Sequence, residues 1–439
     1  MVSPTSHNHH TPCSMANQEY FRSKVSSFFS NGFMFIGGTL VALLIIWTIL
    51  SFISPINPNF SPIFAMSNSI IAPSRDSQEL PTFYDDQDLS YTIEKPIKNW
   101  DEKRSKWLNI HPSFKLGVKE RVLIVSGSQS TPCKNPVGDH LLLRFFKNKV
   151  DYSRIHGYDI FYNNVLLQPK MFFFWAKLPA VRAAMVAHPE AEWIWWVDSD
   201  AAFTDMDSEL PLQKYKDHNF VVYGWPKLIY EKKSWTGINA GVFLIRNCQW
   251  SMDLIEAWSK MGPQSPEYDK WGKILRTTFK DKNFPQSDDQ SGLSYLLLEE
   301  KHKWGDKIYV ESDYYFQGYW VDIIGTLNNV KDKYIGIEKK VPILRRRHAE
   351  KVSEWYVKLW EEYLIKDNVR RPFITHFTGC EPCSGNHNPM YTWETCYDAM
   401  KKALNFADNQ VLRKYGFVHK DLLDSSSVFP LPFDFPSNI

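Results

Sequence analysis

A doubly wound α/β fold is the architecture this sequence predicts, and three observations carry it. Strand and helix patterns alternate from Arg121 to Val197 in the order strand, helix, strand, helix, strand, the pattern of βαβ units around a parallel sheet. The last strand, Trp193-Ile194-Trp195-Trp196-Val197, has five bulky residues and no polar alternation, as expected of a strand buried on both faces. It stops abruptly at Asp198-Ser199-Asp200, and sheets of this kind bind ligands at the carboxyl ends of their strands.

The two carboxylates are two residues apart, so in extended chain they point the same way. Like charges side by side repel unless a cation sits between them, and hard oxygen ligands suit Mn²⁺ or Mg²⁺. For an isolated Asp-x-Asp the alternative is a solvated strand end with an Asx turn.

The chain has 439 residues and a formal charge of +2, so bulk electrostatics points to neither nucleic acid nor an acidic partner. Aromatic residues reach 15%; they stack on sugar faces but also fill cores. Six cysteines in this length are no disulfide scaffold.

Residues 1–32 read as a polar tail carrying His7, His9 and His10. No charged residue occurs between Lys24 and Arg75, and 33–53 is almost wholly apolar. As a helix that stretch spans ~32 Å, the thickness of a hydrocarbon core. The nearest basic residues precede it, which keeps the N-terminus cytosolic and the rest lumenal. Residues 54–99 are a stem broken by Pro55, Pro58, Pro62, Pro73, Pro81 and Pro96. The stem holds the acceptor sequon Asn59-Phe60-Ser61, close to the membrane. A catalytic domain over 100–424 and a loose tail over 425–439 complete the expected organisation.

Within the domain, the strand 121–125 is followed by Ser126-Gly127-Ser128-Gln129. A glycine there lets backbone approach a nucleotide, or simply makes a strand-end turn; the spacing is not that of a P-loop. Helix 138–156, strand 159–162 and helix 172–188, which contains Lys177, lead to the tryptophan-rich strand. A strand at 220–223 follows. Gly237-Ile238-Asn239-Ala240-Gly241 then runs into an apolar strand, putting the Asn239 amide where a sugar hydroxyl would be read. Helices are expected at 250–261 and 271–280. Ser287-Asp288-Asp289-Gln290 opens a helix over 291–300. Capping explains one Asp, leaving a second Asp and a Gln for other work.

Residues 339–351 are strongly basic and lead into an amphipathic helix over 352–366. They suit a solvated helix start, or contact with a partner or membrane surface. His376, in a late strand over 372–379, offers a third, nitrogen ligand to the cation of Asp198 and Asp200. Cys380, Cys383 and Cys396 lack the second close pair that zinc requires. In an oxidising lumen a disulfide among the three is expected, its pairing open. A final helix covers 392–415.

Six blocks in this order resemble one known family: Asn135-Pro136-Val137-Gly138-Asp139-His140, Trp175-Ala176-Lys177-Leu178-Pro179, Trp196-Val197-Asp198-Ser199-Asp200-Ala201, Asp288-Asp289-Gln290-Ser291, Thr375-His376-Phe377-Thr378-Gly379-Cys380 and Asn405-Phe406-Ala407-Asp408-Asn409-Gln410. They are similar to the plant Golgi α-glycosyltransferases that decorate hemicelluloses, whose branches are xyloglucan 6-xylosyltransferases and galactomannan galactosyltransferases. The resemblance implies a GT-A fold, a UDP-sugar donor, Mn²⁺ and retention of anomeric configuration. It implies metal ligation by Asp198, Asp200 and His376, with Asp288, Asp289 and Gln290 at the reacting sugar and acceptor hydroxyl. Donor contacts are expected at Ser126, Gly127, Ser128, Asp139, Lys177, Ser199 and Asn239, with Lys177 neutralising phosphate.

Xylosyltransferase members generally place Lys where this chain has Glu381, and the basic stretch also resembles the galactosyltransferase branch. The expected reaction is therefore transfer of galactose from UDP-galactose onto a mannan backbone at the Golgi membrane, with a mannan synthase or a second copy as candidate partner. A xylosyltransferase acting on xyloglucan is the second enzyme reading. A catalytically silent polysaccharide-binding scaffold is the reading from another class, and intact Asp198, Asp200 and His376 argue against it.

Overall fold

Five strands carry one mixed sheet's parallel direction and a sixth runs against them. The computed structural model describes residues 83–114, 120–349 and 353–433. The expected anchor at 33–53, the stem up to residue 82 and the Asn59 sequon lie outside the described residues. Among the described residues no helix is long and apolar enough to cross a membrane.

The strands are β1 (Val122–Gly127), β2 (Asp159–Asn163), β3 (Trp193–Val197), β5 (Phe220–Gly224), β6 (Ile238–Arg246) and β7 (Ile308–Glu311), in the spatial order β2-β1-β3-β6-β5-β7. β1 pairs in parallel with both β2 and β3, and β5 in parallel with β7. β6 is antiparallel to β3 and β5. That reversal matters for function. It brings the N-terminal end of β6, Ile238 to Gly241, to the same edge as the carboxyl ends of β1, β2, β3 and β5.

The named helices are α1 (Trp100–Ile110), α2 (Gly138–His156), α3 (Lys177–Ala187), α4 (Gln249–Ser259), α5 (Asp289–Glu299), α6 (Leu327–Lys340), α7 (Glu354–Lys366) and α8 (Trp393–Leu412). α2 ends at Gly157, which takes the left-handed conformation at φ 69° that glycine adopts without penalty. The expected helix over 172–188 divides into a 3-10 turn, Phe173–Ala176, and α3.

β3 is buried on both faces, as its composition requires. Ile194 and Trp196 pack with Trp175, Leu178, Phe243 and Trp258 on one side of the sheet. Trp193, Trp195 and Val197 pack with Tyr152, Phe203, Phe316 and Phe373 on the other. Burial of such side chains is worth roughly 1.5–3 kcal/mol each, so this strand is firmly held on both faces. The packed unit reaches beyond 100–424: Ile93 and Ile97 are in the core, and Phe429–Pro430 pairs with Phe417–Val418.

A second, three-stranded sheet has the order β4-β9-β8, with β4 (Ala201–Phe203), β8 (Gly318–Tyr319) and β9 (Ile374–His376). Sequence patterning does not show β4 or β8, because strands of two or three residues leave no periodicity. Two disulfides tie the loop after β9: Cys380–Cys396 and Cys133–Cys383. The first joins two of the three late cysteines. The third pairs instead across the fold, because residues before α2 pack on it: the Asn135 N–H donates to Cys383 O at 2.9 Å, and Asn135 Nδ2 donates to Pro382 O at 2.9 Å.

Candidate active site

The site is set by strand pairing. Asp198 follows β3 directly, and its N–H donates to Gly241 O at 2.9 Å across to β6. The chain then turns at Ser199 and Asp200 and enters β4. There Ala201 lies opposite His376 of β9, and Phe377 N–H donates to Asp200 O at 3.2 Å. Two carboxylates and an imidazole distant in sequence therefore converge. His376 Nε2 is 3.3 Å from Asp200 Oδ1 and 3.7 Å from Asp198 Oδ2.

One ligand atom from each of the three residues lies within 4.8 Å of the others. Burial works against charge on the His376 ring, but Asp200, and then Asp198, outweigh it and raise its basicity. Burial likewise opposes ionisation of Asp200, and His376 overcomes it and lowers the carboxyl below its ordinary range. These groups therefore favour positive charge where their atoms meet. The donor set, two oxygens and one imidazole nitrogen, fits Mn²⁺ better than Mg²⁺. Gly241 forms the wall behind it. A Cβ there would overlap His376 Cε1 and lie 2.7 Å from Asp198 Oδ2.

Lys177, the first residue of α3, enters the site through the core. It is buried, and its ammonium lies 2.7 Å from Asp289 Oδ2, 3.5 Å from Asp198 Oδ1 and 3.0 Å from Ala240 O. Desolvation works against its charge, but Asp198 and Asp289 outweigh it and raise its pKa. Asp289 is pushed up to about 6 by burial, with Lys177 pulling it back. Lys177 thus links Asp198 to Asp289. A direct phosphate contact, the role expected of it from sequence, would have to share its ammonium with that link.

The two adjacent aspartates face different surroundings. Asp288 caps α5: its Oδ1 accepts from Ser291 N–H at 2.9 Å, and its Oδ2 accepts from the Ser291 hydroxyl and from Lys282 Nζ, the latter at 2.7 Å. Both oxygens are engaged in structure. Gln290 is also spanned: its Nε2 donates to Trp235 O at 3.0 Å and its Oε1 accepts from Ala240 N–H at 3.3 Å. It fixes the start of β6, which carries Asn239, whose Oδ1 in turn accepts from Gly241 N–H at 2.8 Å.

At the end of β1, Ser126 is buried. A Cβ on Gly127 would overlap Asn163 O, so that glycine is required by the contact between β1 and β2. Ser128 N–H donates to Asn163 O at 3.0 Å. The Asp139 carboxylate accepts from Cys133 N–H at 3.2 Å and steadies the disulfide-tied loop. Glu381 accepts from the Ser384 hydroxyl at 2.6 Å within its own loop. In the basic stretch, Arg347 donates to Pro432 O at 2.7 Å and His348 meets Lys414 O at 3.1 Å, both contacts to the C-terminal part of the chain.

Sequence reasoning missed Lys149. It is wholly buried in α2, and its ammonium donates to Ala201 O at 2.7 Å and Ser199 O at 3.3 Å, on either side of Asp200. Burial pushes it down to about 7, opposed by Asp200 and Asp198. The signal was present: Leu141, Leu142, Phe145, Lys149 and Tyr152 share the helix spacing of one buried face, and a lysine on such a stripe needs a reason. Trp196 was read only as core, yet its indole Nε1 donates to Asp198 Oδ1 at 2.6 Å.

Three variants test this arrangement. Gly241→Ala should lower turnover by at least about a hundredfold through displaced ligands, with Mn²⁺ affinity falling in parallel; steady-state rates and Mn²⁺ titration measure both. Asp288→Asn should keep the cap but leave buried Lys282 without a counter-charge, costing about 3–5 kcal/mol in denaturant unfolding. Asp289→Asn should cost less stability, because Lys177 keeps Asp198, and more activity.

Residues 118–387, more than half of the chain, match the galactosyl transferase GMA12/MNN10 family. Putative glycosyltransferase 7 of Arabidopsis thaliana is 57% identical over 99% of this chain and 99% of its own. Galactomannan galactosyltransferase 1 of Cyamopsis tetragonoloba is 56% identical over 95% of this chain and 98% of its own. Probable xyloglucan 6-xylosyltransferase 3 of Arabidopsis thaliana is 44% identical over 82% of this chain and 74% of its own. The chain belongs to the galactosyl transferase GMA12/MNN10 family of glycosyltransferases.

Proposed function

We propose that this protein transfers galactose from UDP-galactose, with retention, to C6 hydroxyls of a β-1,4-mannan, forming α-1,6 branches at the lumenal face of the Golgi membrane. The observation that carries this reading is the meeting of Asp198, Asp200 and His376 at the end of β3, beside the Lys177–Asp289 pair. That arrangement suits a GT-A glycosyltransferase, and the 56% identity to a galactomannan galactosyltransferase supports galactose over xylose as the donor sugar.

Asp198, Asp200 and His376 would hold Mn²⁺, which as a Lewis acid neutralises charge on a departing diphosphate. The chain's own groups do the rest. Ser126, Gly127 and Ser128 lie at the end of β1, where nucleotides bind such sheets, and Ser199 lies in the turn between the two ligating aspartates. Lys177 supplies fixed positive charge that needs no reorganisation during the reaction. Asp289, held by Lys177, would face the reacting sugar. Gln290 is spanned between Trp235 O and Ala240 N, which suits positioning and not nucleophilic attack. Asn239, oriented by its bond to Gly241, reads a sugar hydroxyl. We therefore favour same-face attack by the acceptor hydroxyl, with the departing phosphate taking its proton, over double displacement through Asp289. Asp139 acts by steadying the loop before α2.

A xylosyltransferase on xyloglucan is the second reading, favoured by the 44% identity to a probable member of that group. The test is one assay with four arms: full-length protein, Mn²⁺, UDP-galactose or UDP-xylose, and mannan or glucan oligomers. Galactose on mannan, abolished by chelation and by Asp200→Ala without loss of fold, is the expected result. Xylose on glucan oligomers would move the assignment to the second reading, and transfer undiminished in Asp200→Ala would contradict the metal assignment.

A further inference from the structure

Gln317 is buried and stands immediately before β8. β8 pairs in parallel with β9, Gly318 opposite Thr375 and Tyr319 opposite His376. This close approach depends on Gly318, whose Cβ would lie 2.8 Å from Ile374 O and overlap Ile323 Cδ1. The register delivers the Gln317 amide to the far side of the His376 ring, with its Nε2 placed 3.1 Å from Nδ1 and its Oε1 reaching the same nitrogen when the amide turns over.

The two ring nitrogens have different duties. Nε2 faces the carboxylates of Asp198 and Asp200. To ligate a cation it must present a lone pair, so the proton of the neutral ring has to sit on Nδ1. A buried Nδ1–H needs an acceptor. Among the described residues the Gln317 amide is the hydrogen-bond partner of that nitrogen. The oxygen and nitrogen ends of an amide have the same shape, so chemistry decides which faces the ring. With Oε1 toward Nδ1, the ring holds its proton there and Nε2 is a ligand. With Nε2 of the amide toward Nδ1, the ring proton is forced onto its own Nε2, where it bonds to Asp200 and blocks ligation.

We propose that Gln317 is a positioning residue that selects the ligating form of His376, its Oε1 accepting the Nδ1–H. The inference rests on the metal reading of Asp198, Asp200 and His376. It assigns a task to a residue outside the ligand set and outside the motifs that identify it. Partners of this kind fix ring orientation and ligand basicity, and their loss typically weakens metal binding about 10- to 100-fold.

The test is direct Mn²⁺ binding to the full-length protein, followed by electron paramagnetic resonance of the free ion, so that it needs no turnover. Wild type is compared with Gln317→Leu, Gln317→Glu and His376→Ala. Gln317→Leu should bind about 10- to 100-fold more weakly. Gln317→Glu, whose ionised carboxylate only accepts hydrogen bonds, should bind at least as tightly as wild type. Equal affinity in wild type and Gln317→Leu overturns the proposal, as does a Glu variant as weak as a leucine variant. The Glu variant is read independently, so the proposal stays testable if Gln317→Leu does not fold. Wild type binding no more tightly than His376→Ala is a different failure, since it removes His376 from the ligand set and with it the reading this inference rests on.

Discussion

The antiparallel pairing of β4 with β9 is the constraint from which the site follows. β3 is rigid because both of its faces are packed, so Asp198 has a fixed position. The chain has only Ser199 and Asp200 in which to turn before Ala201 is locked opposite His376. With Ala201 placed, Asp200 has little freedom, and His376 is brought to the same point from 176 residues further along the chain. The reversed strand β6 closes the back of the site with Gly241, the one residue type that leaves room for the imidazole. Separately, Cys133–Cys383 holds the loop that follows β9 against the segment before α2, and Cys380–Cys396 ties it to α8.

Charge is managed in the same layered way. Around the carboxylates of Asp198, Asp200 and Asp289 the fold buries two lysines, each with a different task. Lys177 bridges Asp198 and Asp289. Lys149 grips the backbone on both sides of Asp200 from below. Buried ammonium groups are costly unless they are paired or hydrogen-bonded, so their placement here reflects the negative charge gathered at the sheet edge. Lys282 plays a separate part, neutralising the cap of α5 through Asp288. The consequence is a division of labour between neighbours: Asp288 holds the helix, and Asp289 faces the site.

Much of this was legible in the sequence, and the gaps have physical causes. The α/β alternation, the buried character of β3 and the bounds of α2, Gly138 to His156, follow from periodicity. The carboxylate pair was visible because β3 ends so sharply, and His376 was proposed as its third ligand. The short strands β4 and β8 were not visible, since two or three residues make no pattern. Without them periodicity alone gives no reason for His376 to approach Asp200; ligand chemistry and the resemblance supplied it. Lys149 was missed although its helix spacing marks it as buried, and Gln317 gives no local signal at all; its role arises only from the register of β8 on β9. The disulfide partner Cys133 was hidden for the same reason, 250 residues of separation. In sequence, capping accounts for one aspartate of the doublet at 288 and 289 without saying which; the three-dimensional surroundings assign the cap to Asp288 and leave Asp289 facing Lys177.

The central claim is that a divalent ion is held where β3 ends. Crystals grown with Mn²⁺ and UDP, measured at the manganese absorption edge, address it most directly. The account predicts a strong anomalous peak bounded by the carboxylates of Asp198 and Asp200 and by His376 Nε2. A peak at another position, or none at that point under saturating Mn²⁺, would contradict it.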